Sequence, residues 1–383
     1  MSHDAPSRFV EPADIARIAL GWGAFGALLL LGPLLEPSVP WLVLVLALAV
    51  IVGVIIVCAF GVLKQAEALA RRLGDPYGSL VLTLSIVLIE VILIAAVMLG
   101  PGENATIARD SVMAVSMIIM NLVIGLALLV GGLRHGDLRH NRTGTSAYLS
   151  MLIVLAALAF GLPALIGEAG SYTVGQEIPV IVLTLAVYAF FLFRQMGAQA
   201  DDFREVDERL VAAAPTRDDD GRSARIGGVL REHRGEVLTR LALLVVTVLP
   251  IVLLSHDMAA LLDDGLGRLG APVALAGVLI AMIVFLPESL TAVRAALGGE
   301  VQRVSNLCHG ALVSTVGLTI PVVLVIGMMT GQTVVLAESP ANLLLLAVTM
   351  VLSVATFSAR KVTATHGAVH LVVFAAYGVV LFS

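Results

Sequence analysis

Residues 79–99 read SLVLTLSIVLIEVILIAAVML, an apolar run with a single acid, Glu90, about midway along it. A run of about 20 apolar residues is long enough to cross the hydrocarbon core of a bilayer as a helix. A carboxyl group at that depth is costly, so Glu90 is expected to face the interior of a helix bundle or a water-filled cavity. An acid in such a run indicates a functional site.

A second run of the same kind lies far along the chain. Residues 273–297 read VALAGVLIAMIVFLPESLTAVRAAL, and Glu288 follows Pro287. Proline removes a backbone donor and disrupts a helix one turn back. The carbonyl groups freed at such a break are usable cation ligands where they line protein or water.

The composition of the whole chain supports the same interpretation. Of 383 residues, 59% are hydrophobic and 13% are charged, and the mean hydropathy is +1.01, whereas a soluble domain has about 25% charged residues. The sequence therefore predicts an all-α polytopic membrane protein with eleven transmembrane helices, the first of them retained and not a cleaved signal. The predicted spans are 15–35, 39–63, 79–99, 105–133, 147–166, 178–196, 237–255, 273–297, 304–330, 342–357 and 368–382.

The two acid-bearing runs belong to a repeat. The tetrapeptides LGDP at 73–76 and LGAP at 269–272 precede the third and eighth spans, and a serine follows each glutamate by 26 residues, at Ser116 and Ser314. The two copies are five spans apart. Because five is an odd number, the second copy would be inverted in the membrane, as in many secondary transporters. The predicted organisation is one extra helix plus five plus five: residues 1–38 (tail and first helix), 39–197 (first repeat), 198–235 (linker) and 236–383 (second repeat).

The distribution of positive charge predicts the orientation. With the N-terminus in the cytoplasm and the C-terminus outside, the outer segments hold only Arg109 and Arg268 of the 23 lysines and arginines. The linker begins acidic and ends basic; its acidic run is expected to be solvated, with weak binding of a regulatory divalent cation as the alternative.

Further polar groups are expected near the two glutamates. Helical spacing puts Thr83 on nearly the same face as Glu90, and hydroxyl and amide oxygens come from the fourth and ninth spans. Such groups also serve as packing contacts between helices, and His309 is either a proton relay or a packing residue. The candidate ligands beyond Glu90 and Glu288 are Thr83, Ser116, Asn121 and Ser314, and Thr319 is a further hydroxyl of the ninth span.

Oxygen ligands without thiols or histidine clusters suit hard ions, namely Ca²⁺, Na⁺, K⁺ or protons. Because two carboxylates can hold either a cation or protons, the sequence indicates a secondary active antiporter, not an enzyme, with Glu90 and Glu288 as the shared cation and proton site. No cofactor is expected. The sequence contains no P-loop motif, so nothing in it indicates a pump driven by ATP. The expected partners are the transported ions and the lipid bilayer, without nucleic acid; a homo-oligomer is left open. The alternatives are a sodium/calcium exchanger without proton coupling, a cation channel and a non-transporting scaffold.

The chain resembles the calcium/cation:proton antiporter family, most closely its ChaA-type bacterial branch. The resemblance covers nearly the whole chain and lies in GDPYGS at 74–79 running into TLSIVLIE at 83–90, LPESL at 286–290, PAN at 340–342 and HLVVFAAY at 370–377. It implies an eleven-span fold, a bacterial inner membrane location, an acidic cytoplasmic linker and an ion-binding role for Glu90 and Glu288. Asn121 matches the asparagine that ends the first-repeat motif of the family.

The chain departs from the calcium-selective members at several positions. Leu88–Ile89 and Leu286–Pro287 stand where those members have Gly–Asn or Asn–Ala type pairs, and Gly310–Ala311 and Ser314 stand where they have Gly–Ser and Gln. Fewer oxygen ligands favour Na⁺ and K⁺ as substrates alongside Ca²⁺, which the ChaA-type resemblance also implies.

Overall fold

The computed structural model describes residues 10–31, 39–73, 84, 87–88, 90–92, 94–95, 98, 105–206, 234–272 and 274–383. These residues are almost entirely helical, and the pairing of extended backbone among them is limited to three isolated bridges. The helices are α1 Pro12–Leu31, α2 Trp41–Leu73, α3 Ile107–Met117, α4 Ile124–His135, α5 Arg142–Ala156, α6 Leu162–Ile166, α7 Val174–Met196, α8 Arg234–Arg268, α9 Ala274–Val284, α10 Leu286–Gly298, α11 Val301–Thr330, α12 Pro340–Ser358 and α13 Ala364–Leu381.

Two short π-helical segments join helices into longer continuous ones. Ile118–Val123 connects α3 to α4, and Ala157–Gly161 connects α5 to α6. A π-turn inserts one extra residue into a helix and is frequent at functional sites. Asn121 lies in the first of these segments.

The described residues contain nine helices that are long and apolar enough to cross a membrane, or ten when the bent pair α9–α10 counts as one span. These correspond to ten of the eleven predicted spans. The remaining one, 79–99, is described in part: Leu84, Val87, Leu88, Glu90–Ile92, Ile94, Ala95 and Met98 are helical. Thr83 and most of the predicted linker, 207–233, lie outside the described residues; Ala200–Phe203 at the start of that linker form one 3₁₀ turn.

The eighth predicted span is not one straight helix. Residues 275–284 and 286–298 meet at an angle of 59°, and the break falls at Phe285, two residues before Pro287. Proline lacks a backbone N–H, and its ring clashes with the carbonyl one turn back. The disruption predicted from Pro287 is therefore confirmed, and the eighth predicted span corresponds to a bent pair of helices.

The chain folds as two compact units, and these do not coincide with the two sequence repeats. One unit takes Met1–Leu82 and Arg217–Leu269, and the other takes Thr83–Thr216 and Gly270–Ser383. The first unit thus contains α1, α2 and α8, the helices of the first, second and seventh predicted spans.

Within the first unit, α2 and α8 pack along their length and α1 contacts both. Gly21 lets α1 approach closely, because a Cβ atom there would lie 2.9 Å from the Pro250 side chain and 3.0 Å from the sulfur of Cys58. At one end of the unit Lys64 pairs with Glu11 and with the buried Asp14. Charged groups that are buried at a helix end are thus neutralised within the unit.

Within the second unit, the same local features occur twice. Leu138, after α4, pairs its backbone with Val362 before α13, and Val335, after α11, pairs with Ser171 before α7. Capping boxes begin α7 at Thr173 and α13 at Thr363. N-cap side chains begin α5 at Asn141 and α12 at Ser339, separated by the same 198 residues as Glu90 and Glu288.

Small residues set the closest helix contact of the second unit. Gly132 on α4 lies against the backbone at Ala364, and Gly367 on α13 lies against the backbone at Leu129. Without side chains at these points the two helices approach nearly to backbone contact, as is common in membrane bundles. This packing holds α13 beside the π segment that carries Asn121.

Candidate functional site

Glu90 is buried in the second unit, with 5% of its surface exposed. The hydroxyl of Thr315 on α11 donates a hydrogen bond of 2.5 Å to its Oε2 atom. Its Oε1 atom has no hydrogen-bond partner among the described residues. A buried carboxyl oxygen without a donor leaves room for a proton or a cation as its partner.

Glu288 lies in the first turn of α10, directly after the break at Phe285. It is 8% exposed, and neither of its carboxyl oxygens has a hydrogen-bond partner in the described part of the chain. The start of a helix carries partial positive charge, which favours an ionised carboxylate there. The break thus places an acid at an electrostatically favourable position inside an apolar environment.

A small cavity adjoins Glu288. Its volume is about 10 Å³, room for about one water molecule. Its walls come from the π segment, from the break at Phe285, and from α10 and α11: Ile119, Val123, Phe285, Ser289, Leu307, Cys308 and Ala311. The side chains around the carboxyl group are therefore mostly apolar.

One face of α11 is common to both glutamates. Cys308 and Ala311 line the cavity at Glu288, and Thr315 donates to Glu90. Residues three and four apart lie on the same side of a helix, so these three form one stripe.

Thr319 continues this stripe one turn beyond Thr315. It is fully buried, and its hydroxyl has no hydrogen-bond partner among the residues that the structure describes. The sequence repeat pairs Thr319 with Asn121, which lies in the π segment beside α11. An unsatisfied buried hydroxyl one turn from Thr315 is a further oxygen available to a bound ion or a water molecule.

The other predicted ligands have different partners. Ser116 donates to the carbonyl of Val112 in its own helix, and Ser314 accepts a hydrogen bond of 3.0 Å from the hydroxyl of Tyr188. Their hydroxyl groups contribute to helix packing in this conformation. Ion ligation by Ser116 and Ser314 stays a prediction.

Asn121 is fully buried and lies in a polar cluster with α12 and α13. Its amide nitrogen donates to Thr349 at 2.8 Å, and its amide oxygen lies 3.3 Å from Nδ1 of His370. Because both ends of the amide have partners, Asn121 ties three elements together. A role for it as an ion ligand also stays a prediction.

His309 is fully buried on α11, next in sequence to Cys308. Its Nδ1 atom bonds to the hydroxyl and carbonyl of Ser305, whereas Nε2 has no hydrogen-bond partner in the described residues. The ring stacks on Tyr148, with ring centres 6.1 Å apart, and meets Phe357 edge-on at 4.9 Å. These contacts are those of a packed aromatic cluster, and a proton relay through Nε2 stays a prediction.

Thr315 is the residue that the sequence interpretation missed. The spacing of 26 residues from each glutamate to a serine indicates Ser314, which lies one position before Thr315. Adjacent residues on a helix point about 100° apart, so only one of the pair faces Glu90. The available signal was the spacing of Thr315 and Thr319, which is that of a single helix face.

Most polar side chains at the site offer oxygen atoms, whereas Cys308 offers a thiol in the cavity wall. Among the described residues, no group of three or more His, Cys, Asp and Glu side chains is arranged to hold a metal ion. Two carboxyls, the hydroxyls of Thr315 and Thr319 and water therefore form the available set. Such a set suits hard cations and protons, bound reversibly.

The chain is similar to known proteins over most of its length. Residues 42–197 and 239–383 match the model of the family described as sodium/calcium exchanger protein. The chain is 34% identical over 328 residues to y4hA, a candidate ionic transporter of Sinorhizobium fredii, covering 85% of each chain. It is 32% identical over 346 residues to the sodium-potassium/proton antiporter ChaA of Escherichia coli, covering 89% of this chain and 90% of the relative.

A solved structure shares the fold. The crystal structure of the H⁺/Ca²⁺ exchanger CAX superposes with a TM-score of 0.67 at 14% identity, over 97% of this chain and 89% of that chain. The match confirms the all-helical polytopic architecture predicted from the sequence.

Proposed function

Because the chain belongs to the sodium/calcium exchanger protein family, a family of membrane ion exchangers, we propose that it is a secondary active antiporter. It exchanges cytoplasmic Ca²⁺, Na⁺ or K⁺ for protons through one site shared by Glu90 and Glu288. The observation that carries the proposal is that one face of α11 serves both buried carboxyls: Thr315 donates a hydrogen bond to Glu90, and Cys308 and Ala311 line the cavity at Glu288. The named activity of the Escherichia coli relative supports proton coupling and monovalent substrates.

The coupling follows from the cost of burying charge. An ionised carboxylate in an apolar interior is unfavourable unless a cation or a hydrogen-bond donor compensates it. Glu90 has one donor, Thr315, and Glu288 has none among the described side chains. Each carboxyl is therefore occupied either by a proton or by a share of a cation, and binding of the cation expels protons.

Alternating access completes the mechanism. A site that moves only when it is either protonated or cation-loaded exchanges the two and leaks neither. The recurrence of bridges and caps in the second unit supports a transporter built from two related halves, inverted as the sequence predicts. In this mechanism the break at Phe285, where the two helices meet at 59°, acts as the hinge beside Glu288.

The orientation belongs to the same proposal. The N-terminus lies in the cytoplasm, the C-terminus lies outside, and the membrane is the bacterial inner membrane. The charge asymmetry of the sequence supports this arrangement.

Ion fluxes in everted membrane vesicles, followed with a pH-sensitive dye, test the function. Addition of Ca²⁺, Na⁺ or K⁺ should move protons in the wild type. Glu90→Gln and Glu288→Gln should abolish the response, because glutamine keeps the shape of glutamate but cannot ionise. Glu177→Gln is the matched control, since it removes one partly exposed carboxylate of the same unit from the first turn of α7, and it should leave the response unchanged.

The alternatives give different outcomes in the same vesicles. Calcium uptake that requires a sodium gradient and moves no protons would indicate a sodium/calcium exchanger. Cation flux that persists in both glutamine variants and follows the membrane potential alone would indicate a channel. Either result would refute the proposed antiport.

A further inference from the structure

A second cavity lies in the same unit, away from the cavity at Glu288. Its volume is about 150 Å³, and it is formed by the start of α3, the start of α12 and the end of α13. Asp110, Glu338, Asn342 and Tyr377 are among its lining residues. It is thus roomier than the cavity at Glu288 and lined by more polar groups.

Glu338 is the unusual residue in this cavity. It is 6% exposed although it lies in the loop before α12. Its Oε2 atom accepts hydrogen bonds from the backbone N–H of Ser339 at 3.0 Å and from the amide of Asn342 at 2.9 Å. Its Oε1 atom has no hydrogen-bond partner among the described residues.

Asn342 presents a second oxygen of the same kind. Its amide nitrogen is held by Glu338, which fixes the orientation of the amide, and its Oδ1 atom has no hydrogen-bond partner in the described chain. One carboxylate oxygen and one amide oxygen that line one cavity are therefore both unsatisfied. Unsatisfied buried acceptors of this kind need a donor or a cation.

The charges of Asp110, Glu338 and Arg109 around the cavity sum to one net negative charge. Asp110 pairs with Arg109 at 2.8 Å, and the same guanidinium lies 3.9 Å from Oε1 of Glu338, too far for a hydrogen bond. Arg109 also donates to the carbonyl of Ala337 at 3.0 Å. Two carboxylates and one guanidinium give a formal charge of −1, which one monovalent cation neutralises.

The acid is not required by the turn that it occupies. In the other half of the unit the equivalent position, directly before the N-cap of α5, is His140. Its Nε2 atom bonds to the carbonyl of Phe357 at 2.8 Å. The two halves thus share the turn, and the carboxylate is particular to the end of the unit where α12 begins.

We propose that Glu338, Asn342 and Asp110 form a second cation site, for a hard monovalent cation such as Na⁺. The cation is bound by Oε1 of Glu338 and Oδ1 of Asn342, with water completing its shell and Asp110 adding negative charge. The site is separate from the Glu90–Glu288 pair and stands without the proposed antiport. In the predicted orientation it lies at the outer end of the helices.

Equilibrium binding of radiolabelled Na⁺ to full-length protein in detergent, at alkaline pH, tests this site. The background is the double variant Glu90→Gln/Glu288→Gln, so that binding at the central pair is removed. This background should retain about one equivalent of bound Na⁺. Adding Glu338→Gln should weaken that binding about tenfold or more, which corresponds to about 1.4 kcal/mol or more, whereas adding Glu177→Gln should not change it.

Two results would overturn the site: no Na⁺ bound by the double variant, or binding that is unaffected by Glu338→Gln. Where the triple variant does not elute as a folded protein, Asn342→Ala replaces Glu338→Gln. It removes the amide oxygen and keeps the carboxylate, and unchanged affinity in that variant would equally refute the site. Failure of the antiport itself is distinguished by the vesicle assay, which does not depend on this binding.

Discussion

Replacement of Thr315 by valine tests the geometry of the central site most directly. Valine has nearly the same shape as threonine but lacks the hydroxyl that donates to Oε2 of Glu90 at 2.5 Å. Thr315 is fully buried, so water does not replace the lost donor without a rearrangement. The substitution therefore changes one interaction of Glu90 and little of the packing around it.

The expected magnitude follows from that hydrogen bond. A hydrogen bond to a charged acceptor contributes about 1.5–3 kcal/mol, and one pH unit corresponds to about 1.4 kcal/mol. The hydroxyl favours the ionised form of Glu90 over the protonated form, so its loss favours the proton in the competition with the cation. The pH of half-maximal exchange should move upward by about 1–2 units, with a matching loss of apparent cation affinity below that pH.

Proteoliposomes that contain purified protein provide the assay, with Na⁺-driven proton movement measured across a range of pH. Thr315→Ser keeps the donor and should follow the wild-type profile. Ser314→Ala removes the neighbouring hydroxyl, which accepts a hydrogen bond from Tyr188 and has no described contact with Glu90, and it should shift the profile less than Thr315→Val does. A Thr315→Val profile that superimposes on the wild type, or a larger shift in Ser314→Ala, would refute the assignment of Thr315 to the site.

Three further predictions concern topology, coupling and the second site. A cysteine at the exposed Ser339 should react with an impermeant reagent from outside and one at Thr216 only from the cytoplasm; labelling of both from one side would contradict the inverted repeats. Calcium added to weakly buffered, purified protein should release protons from the wild type and none from Glu90→Gln/Glu288→Gln, and undiminished release from that variant would move coupling elsewhere. Burial, and to a smaller extent the negative charge of Asp110, raise the pKa of Glu338 against the lowering effects of Asn342, Ser339 and Arg109. Since a proton and Na⁺ compete for its carboxylate, Na⁺ binding at the second site should strengthen as pH rises through that raised pKa, and binding that is independent of pH would exclude Glu338 as a ligand.

The sequence alone was sufficient for the features that depend on local composition. Apolar runs about 20 residues long predict membrane spans because the bilayer sets their length. Glu90 and Glu288 stand out because an acid in such a run is costly wherever its helix packs. The break near Glu288 follows from Pro287, whose effect on a helix is local.

The partners of each polar group were decided by the tertiary structure. Ser314 and Thr315 are adjacent and chemically alike, and the rotation of α11 about its axis determines which of them faces Glu90. The sequence repeat does not contain that rotation, because it is set by the packing of α11 against the helices around it. In the sequence, Glu338 is likewise indistinguishable from an ordinary acidic loop residue. The packing of α3, α12 and α13 buries it beside the unsatisfied amide oxygen of Asn342.

The grouping of helices was also beyond the sequence. The repeats divide the chain into consecutive halves, yet α1 and α2 pack with α8, whose first residue lies 161 positions after the end of α2. Apolar helix faces with similar sequences can be buried against many different partners. Lipid is as apolar as another helix, so hydrophobicity does not select the partner. Shape complementarity at contacts such as Gly21 against Pro250 determines which helices pack together. That complementarity exists only once the helices are side by side.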